Sequence, residues 1–449
     1  MRWLRPRILA LLCLACVPVS CSKSSPPPPL AIRVAGDDWF LKSLEKSGMI
    51  AGYEAKTGER IEFLNRNDRT IMKDLDGAPG HSPYDLVVMR HRWMGTLIQK
   101  HEIQPIDSFL GDTTLHDGGF QPAQQLFPNW WRGLSWYGDK VYGYPYTGLT
   151  AFLCYRKDLL EDSENQRKFK ARYHRALTVP ANWKEYVQVA QFFTRPTDHF
   201  YGTYISGKQG LPLWYEWLNF AYSFGGDILD TQHGWEYGDI VVNSPQNVAA
   251  TEQYVKLIAF SPPDTLTYGW DQAQAALQQQ HAFMGLLWSD QAYLVEDAAT
   301  SKVAGKIGYS LIPSNSRQKA SQMEGLTWLI PAGTPNPKEA YRFLEWVMSD
   351  QVQVSQTLHG SNSTRESVYE DAKVKQMSYT AAFLGSVPIA KEKATLPESS
   401  PMIDAAERRL SEIVTGKETA KAGLDRLALD LQQILGSKAK LRYPVHGAQ

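Results

Sequence analysis

Two kinds of hydrophobic pattern alternate along this chain. Short runs dense in apolar and β-branched residues occur at 32–36, 60–65, 84–89 and 150–155. Longer stretches lie between them, and in these stretches apolar residues recur every three or four positions. The first pattern is typical of strands and the second of amphipathic helices. Because the two alternate at the spacing of β-α-β units, we expect an α/β protein with parallel strands.

The second half of the chain continues this pattern. Runs at 306–313 and 326–333 predict strands, and segments 180–193, 244–260, 335–349 and 403–435 predict helices. Ser244 is a typical N-cap, and Pro245 follows it in the first turn. The residues expected on buried faces are Trp183, Val187 and Ala190 in the first helix, Val248, Val255 and Ile258 in the second, and Ala340, Phe343, Leu344 and Val347 in the third. The charged stretch 161–175 predicts a solvated helix or insertion.

Length and composition narrow the class of protein. A chain of 449 residues exceeds what one core usually organises, so two globular domains are expected. Lys plus Arg and Asp plus Glu both number 47, and this balance gives no support to a nucleic-acid partner. The 14 Trp residues suit cores and interfaces as well as ligand sites.

The N-terminal residues have the features of a secretion signal. Arg2, Arg5 and Arg7 precede an apolar region at 8–19 that is too short to span a bilayer. A signal peptide at 1–20 would leave Cys21 as a lipid anchor, followed by a Pro-rich linker within 21–30. Cys16 is the alternative anchor, and secretion without a lipid is the alternative fate. The segment predicts an extracytoplasmic protein tethered to a membrane surface.

Beyond Cys21 the sequence contains one cysteine, Cys154. No internal disulfide is therefore expected in the exported chain, and its stability must come from buried cores. No later stretch is long and apolar enough to predict a transmembrane helix.

Eight segments of the sequence follow one another in an order that is found in a known protein family. They are YGDKVYGYPYTGLTAFLCYRKDLL (137–160), VPANWKEYVQVA, SFGGDILD, VVNSPQNVAATEQYVKLI, HAFMGLLWSDQ (281–291), VAGKIGYSLIP, EGLTWLIPAGTPNPKEAYRFLEWVMS and GSNSTRESVY. Across 31–435 this order resembles the extracytoplasmic solute-binding proteins of ATP-binding cassette (ABC) importers, in the branch that includes maltose-binding protein. The chain departs from the family pattern at Ser363-Thr364, where the family has Pro before Arg365. It also departs in the longer loop at 161–175 and in lacking an evident aromatic residue near 403.

The resemblance implies a two-lobed periplasmic-binding-protein fold of type II, whose lobes are joined by crossing hinge segments. We expect one lobe at 31–146 plus 292–330 and the other at 147–291 plus 331–449. By the same resemblance, a sugar or oligosaccharide would bind between the lobes, and the permease subunits of an ABC importer would recognise the closed form. The protein would act as a monomer without a cofactor or metal.

Trp288 directly follows the apolar run at 282–287. Ligands of α/β sheets bind beyond the carboxyl ends of strands. An indole face suits the C–H face of a sugar, and a nearby carboxylate such as Asp290 accepts paired hydroxyl hydrogens. Relatives carry a sugar-contacting Trp at the matching position. The alternative is a hinge Trp that packs between the lobes.

Other candidates follow from the same resemblance and from their positions after strands or at the lobe crossing, and each has an alternative structural role. Asp38 and Trp39, with Asp37, follow the first strand, where Asp is also a common helix cap. The remaining ligand-binding candidates are Tyr146 (alternatively a hinge packer), Tyr215, Trp217 and Trp270 (alternatively core residues), Gly325 and Trp328 beside a crossing strand, and Arg365 (alternatively a brace for a carboxylate).

Two other functional classes fit parts of the sequence. A secreted carbohydrate-active hydrolase or lyase would need two carboxylates about 5 to 10 Å apart, and Asp38 with Asp290 is the best pair. A binding module that presents its ligand to a sensor would share the features of an importer subunit.

A metal site built from His81, His91 and His101 is disfavoured. Their ten-residue spacing does not suit one helix, and the neighbouring arginines would repel a cation.

Overall fold

The computed structural model describes residues 30–78, 80–116, 120–317 and 319–445. The predicted signal peptide, Cys21 and the linker up to Pro29 lie outside these residues. The strands are Ala31–Gly36 (β1), Arg60–Asn65 (β2), Leu86–Arg90 (β3), Trp136–Tyr137 (β4), Lys140–Val141 (β5), Gly143–Arg156 (β6), Tyr201–Thr203 (β7), Leu229–Asp230 (β8), Asp239–Ile240 (β9), Ala282–Trp288 (β10), Ile307–Ser310 (β11), Ser321–Leu329 (β12) and Ala390–Lys391 (β13).

The α-helices of the first half are Asp38–Lys46 (α1), Ile50–Thr57 (α2), Asp68–Asp76 (α3), Met94–Gln99 (α4), Asp107–Leu110 (α5), Pro122–Gln125 (α6), Pro128–Ser135 (α7), Lys157–Glu161 (α8), Ser163–Tyr173 (α9), Trp183–Phe193 (α10) and Leu211–Ser223 (α11). Those of the second half are Pro245–Leu257 (α12), Trp270–Gln278 (α13), Ala292–Val295 (α14), Pro337–Val347 (α15), Asp350–Leu358 (α16), Ala372–Lys375 (α17), Thr380–Ser386 (α18), Ser399–Val414 (α19) and Ala420–Leu435 (α20). None of the described helices is long and apolar enough to cross a membrane.

The first sheet has the strand order β2, β1, β3, β12, β6. β1 is parallel to β2 and to β3, so the β-α-β units predicted from the pattern are confirmed. β12 runs antiparallel to β3 and to the first half of β6. One face of this sheet forms a core with α15, and the other face forms a core with α3 and α4.

β6 is 14 residues long and belongs to both sheets. Its second half pairs antiparallel with β10 and β11, and β10 is parallel to β7. One face of this second sheet is covered by α10, α11, α12, α19 and α20, and the other by α13, α14, α17 and α18. The expected two-lobed α/β architecture is confirmed, with β6 as a crossing segment.

The lobe boundaries differ from those expected. α15 was expected in the second lobe, as part of 331–449, but its Phe343 and Leu344 share a core with Ile32 and Val34 of β1. Residues 292–310 were expected in the first lobe, but β11 pairs with the second half of β6. An amphipathic pattern shows that a segment has a buried face, but it does not show which sheet that face covers.

The predicted helix at 403–435 is two helices, α19 and α20. The turn between them contains Gly416 at φ +74°, a left-handed conformation that glycine adopts without a steric penalty. The predicted solvated segment at 161–175 is largely α9, whose Phe169 is fully buried.

The buried face of α12 also differs from the predicted one. Ser244 caps the helix as predicted, accepting a hydrogen bond from the Asn247 backbone N–H. The buried residues are Asn247, Ala250, Thr251, Tyr254 and Leu257, whereas Val248, Val255 and Ile258 are only partly buried. Two polar residues on the buried face have internal partners. The Asn247 Nδ2 donates to the Asp227 carbonyl at 2.6 Å, and the Thr251 Oγ1 accepts from the Trp217 Nε1 at 2.8 Å.

Candidate functional site

A cleft of about 760 Å³ lies between the two lobes. Residues of the first lobe line one side, and residues of α11, α13 and the end of β10 line the other. The residues lining the cleft are Asp37, Asp38, Trp39, Lys42, Ser43, Lys46, Asn65, Arg90, Leu149, Tyr215, Trp270, Asp271, Gln274, Trp288, Asp290, Gln291, Tyr293, Leu294, Glu324, His359 and Gly360. Six of the eleven predicted ligand-binding residues are among them.

Two partly buried tryptophans, Trp288 and Trp270, line the second-lobe side of the cleft, and both adjoin the buried ring of Tyr215. Trp288 is the last residue of β10, and its ring centroid lies 6.0 Å from that of Tyr215. The Tyr215 ring in turn lies 6.1 Å from the Trp270 ring. Trp288 packs against the core clusters of both lobes. β10 holds the backbone of Trp288 in place, and part of the Trp288 ring lines the cleft.

The first-lobe side begins where β1 turns into α1. Trp39 is 45% exposed and lines the cleft from the first-lobe side. Asp38 forms an ion pair with Lys42. The side chain of Asp37 does not cap α1 and instead accepts a hydrogen bond from Arg90 at 3.2 Å.

Asp290 supplies a hydrogen-bond acceptor without a partner. Its Oδ1 is shielded from solvent and makes no hydrogen bond with any described residue. Burial raises the pKa of this carboxyl to about 6, against the opposing effects of backbone N–H groups and Arg90. The Trp270 Nε1 is likewise buried without a partner in the described chain. The cleft thus offers one unused acceptor and one unused donor, a pair that hydroxyl groups satisfy.

A buried charge network lies below the cleft. Arg90 donates to Asp68 at 3.0 Å and to Asp37, so its positive charge is already balanced. Glu324 forms an ion pair with Lys393 at 2.7 Å and lies 3.2 Å from the His91 Nδ1. Burial opposes ionisation of Glu324, but Lys393 and His91 hold its pKa well below the usual range. Glu324 is therefore an ionised acceptor with a fixed orientation.

One hydrogen bond of this network connects the lobes directly. Arg92, just beyond β3 of the first lobe, donates to the hydroxyl of Tyr215 on α11 of the second lobe at 2.8 Å. Burial raises the pKa of Tyr215 well above its usual value, so the hydroxyl stays neutral. The Tyr215 side chain is only 2% exposed, so it supports the cleft wall from behind while its hydroxyl accepts a hydrogen bond from the first lobe.

Five predicted ligand contacts do not line the cleft, and these predictions are corrected. Trp217 and Trp328 are fully buried in the cores, where the Trp217 Nε1 donates to Thr251. Tyr146 is 1% exposed and lies behind the cleft wall, with its hydroxyl 2.8 Å from the Oγ of the cleft residue Ser43.

The other two corrected residues have structural roles. Gly325 lies where an added Cβ would be 2.4 Å from Leu134, so it permits close packing of β12. Arg365 braces Asp350 at 2.9 Å and stacks 4.9 Å from the Phe120 ring, which is the alternative role considered for it.

Several residues that line the cleft are not among those predicted from the sequence. Arg90 ends β3, so the rule that identified Trp288 applies equally to it. Tyr293 and Leu294 lie on the short helix α14 just after Asp290, where proximity in sequence was the available signal. His359 and Gly360 follow α16, and no local pattern placed them near the cleft.

Comparisons with known proteins identify a family and a shared fold. Residues 43–354 match the family described as bacterial extracellular solute-binding proteins. A probable amino-acid ABC transporter periplasmic-binding protein of Sinorhizobium fredii is 23% identical over 340 residues, which cover 74% of this chain and 72% of the relative.

Solved structures of the same fold cover most of the chain. A solute-binding protein from Agrobacterium radiobacter in complex with ribitol superimposes with a TM-score of 0.75 at 22% identity, over 91% of this chain and 99% of the other. Maltose-bound MalE3 of T. maritima gives a TM-score of 0.75 at 21% identity, over 90% and 100%. A Thermotoga lettingae solute-binding protein with α-D-tagatose gives 0.75 at 21%, over 91% and 100%.

Proposed function

Because the chain belongs to the family of bacterial extracellular solute-binding proteins, we propose that it captures a saccharide or polyol between its lobes and delivers it to the permease of an ABC importer. The observation that carries this proposal is the pair of Trp270 and Trp288, which line the cleft beside an Asp290 Oδ1 that has no partner among the described residues. Sugar rings have apolar C–H faces and hydroxyl edges, and these residues match both.

The two sides of the cleft would share the ligand. A micromolar dissociation constant corresponds to about −8 kcal/mol, and part of this free energy must be gained only in the closed form if ligand is to shift the lobes. Trp39 on the first lobe and Trp288 on the second are suited to this, because they line the same cleft from opposite lobes. Permease subunits would then distinguish the loaded protein by its shape.

An amino acid is the competing ligand class, since the relative in Sinorhizobium fredii has that probable specificity. A zwitterion needs a cation for its carboxylate. Arg90 is held by Asp37 and Asp68, so it is not available without breaking those bonds. Lys46 also lines the cleft, so charge pairing disfavours binding of an amino-acid carboxylate at Arg90 specifically.

Catalysis is not part of the proposed function. Asp38, the best partner for Asp290 in a hydrolase, is exposed and paired with Lys42. Incubation with oligosaccharides should give saturable binding without products. Product formation would favour the hydrolase or lyase class instead.

We propose that the chain acts as a monomer at the extracytoplasmic face of a membrane, attached through a lipid on Cys21. Replacing Cys21 with Ser should release the protein from the membrane fraction without changing ligand affinity. Retention of the C21S protein in that fraction would contradict the anchor at Cys21, and the C16S variant tests the alternative.

A thermal-shift screen tests the ligand class directly. The panel contains mono- and oligosaccharides, polyols and the common amino acids, each added to the purified protein lacking residues 1–21. A ligand at 100 times its dissociation constant adds about 2.7 kcal/mol to the free energy of unfolding. Stabilisation by saccharides or polyols supports the proposal. Stabilisation by amino acids alone would overturn it.

A further inference from the structure

A second depression adjoins the cleft on the far side of Tyr293. This outer groove has a volume of about 360 Å³, and its walls include Tyr293, Asp297, Ala298, Leu358, Met377 and Ser378. Tyr293 also lines the cleft. The side chain of one residue is therefore a wall of both cavities.

Large exposed apolar side chains are concentrated around the cleft. Tyr293 is 38% exposed and Leu294 is 44% exposed, and both line the cleft together with Trp39. Exposed apolar surface that clusters beside a cavity marks a binding surface more often than scattered single residues do. The clustering extends the apolar surface of the cleft toward the outer groove.

The position of the Tyr293 ring is set by a glycine. Gly360 has φ +97°, and a Cβ added to it would lie 3.1 Å from the Tyr293 Cδ1. The loop after α16 therefore packs closely on this ring because residue 360 has no side chain. Tyr293 is supported from this side, as a fixed platform for a ligand would be.

The outer groove has the mixed chemistry that suits a sugar. Leu358 and Met377 supply apolar surface, while Asp297 and Ser378 supply polar groups. Both polar groups also make hydrogen bonds within the protein, Asp297 with Thr300 and Ser378 with Glu296. Tyr379 lies at its base, where burial together with nearby Tyr293, Glu296 and Asp290 raises the pKa of its phenol.

We propose that the cleft and the outer groove form one elongated site, so that the physiological ligand is an oligosaccharide rather than a single sugar or a free polyol. This inference rests on the proposed function. One end of the oligosaccharide lies on Trp288 and Trp270, and the chain passes Tyr293 so that further units occupy the outer groove. The cleft alone is already toward the upper end of ordinary ligand pockets, which span roughly 300 to 1,000 Å³.

Calorimetric titration with ligands of increasing length tests this inference. The ligands are glucose to maltohexaose, glucose to cellohexaose, ribitol and mannitol. In the series that binds, affinity should rise at least tenfold between the disaccharide and the tetrasaccharide, because the added units contact the outer groove.

The matched variants are Ala298→Arg and Ala299→Arg. Both alanines are exposed, so neither change should unfold the protein, but only Ala298 lines the outer groove. We expect A298R to abolish the gain from the longer chain and to leave disaccharide affinity near that of A299R. A second variant, Met377→Ala, should reduce the gain by removing apolar contact surface.

The outcomes separate this inference from the proposed function. Affinity that does not rise with chain length, polyol binding without oligosaccharide binding, or equal behaviour of A298R and A299R would overturn the elongated site while cleft binding stands. Failure of every saccharide and polyol to bind would overturn both.

Discussion

Trp288 lies at the cleft because it is the last residue of strand β10. The strand before it is buried, its ring touches the cores of both lobes, and the next residues turn into the cleft. The sequence predicted this placement because a strand end is a local feature. It did not predict that the rings of Tyr215 and Trp270 would lie beside Trp288, since they come from α11 and α13 and meet Trp288 only in the folded chain.

Replacing Trp288 with Ala should weaken saccharide binding by about 10- to 100-fold, because the largest apolar contact with the ligand is lost. The protein should stay folded, since the ring is only partly buried. Titration calorimetry and thermal melts measure the two effects. Trp235→Ala is the control, because Trp235 is also partly buried but lies outside the cleft. Unchanged affinity in W288A would refute the assigned contact.

The raised pKa of Asp290, about 6, makes binding sensitive to pH. The carboxylate accepts two hydroxyl hydrogens fully only when it is ionised. Affinity for a neutral ligand should therefore fall as the pH is lowered from 7 to 5. The Asp290→Asn variant should bind weakly and show no such fall. Calorimetry across this range would contradict the assignment if wild type gave a flat profile.

The same residue links function to stability. The folded-state pKa of Asp290 lies above the ordinary aspartate value of 3.8, so the folded state binds more protons between pH 4 and 6 and stability falls as the pH rises through that window. Above pH 6, the free-energy cost of keeping Asp290 ionised in the folded state is fully present. Asp290→Asn should therefore stabilise the ligand-free protein by about 1 to 3 kcal/mol at pH 7. Denaturant unfolding at pH 7 and pH 4 measures this, with the gain expected only at the higher pH.

At the level of single elements, α12 shows where a hydrophobic pattern misleads. The sequence suggested a stripe of three β-branched residues, but the helix is rotated so that Tyr254 and Leu257 face the core. Asn247 and Thr251 lie on the same buried face because their polar groups find partners there. A count of apolar residues cannot anticipate such internal partners, which come from distant segments.

Because α12 is rotated in this way, truncating Leu257 and truncating Val255 should lower the free energy of unfolding by different amounts. Leu257→Ala should destabilise the protein by about 2 to 5 kcal/mol, because Leu257 is fully buried. Val255→Ala should cost less than about 1.5 kcal/mol, because Val255 is only partly buried. Urea unfolding of both variants gives the comparison. Equal costs, or a larger cost for V255A, would support the face predicted from the sequence.

At the scale of the whole molecule, the strands were more predictable than the lobes. The runs at 32–36, 60–65, 84–89 and 150–155 all lie in or overlap strands, because apolar density and β-branching are local signals. Membership of a lobe depends on contacts between distant segments, as the packing of α15 on the first sheet shows. The two-lobed fold was predicted from the family resemblance, because the hydrophobic pattern alone does not assign segments to lobes.

Ligand binding should make the whole molecule more compact. The two sides of the cleft approach each other if both contact one ligand, and the Arg92–Tyr215 hydrogen bond at its base keeps the lobes joined during this movement. X-ray scattering should show a smaller radius of gyration with saturating saccharide. W288A should need correspondingly more ligand for the same change. A radius that ligand does not alter would contradict closure as the signal to the permease.

Cys154 has a practical consequence. Its thiol is enclosed in the second lobe, 3.2 Å from the Gly285 carbonyl, and burial raises its pKa to about 12. In a chain that begins at Ser22 it is the sole sulfhydryl, and thiol reagents cannot reach it in the native state. A cysteine engineered at the cleft rim will therefore take up a fluorescent dye selectively, without deletion of the natural one, which makes this protein ready for conversion into an optical biosensor.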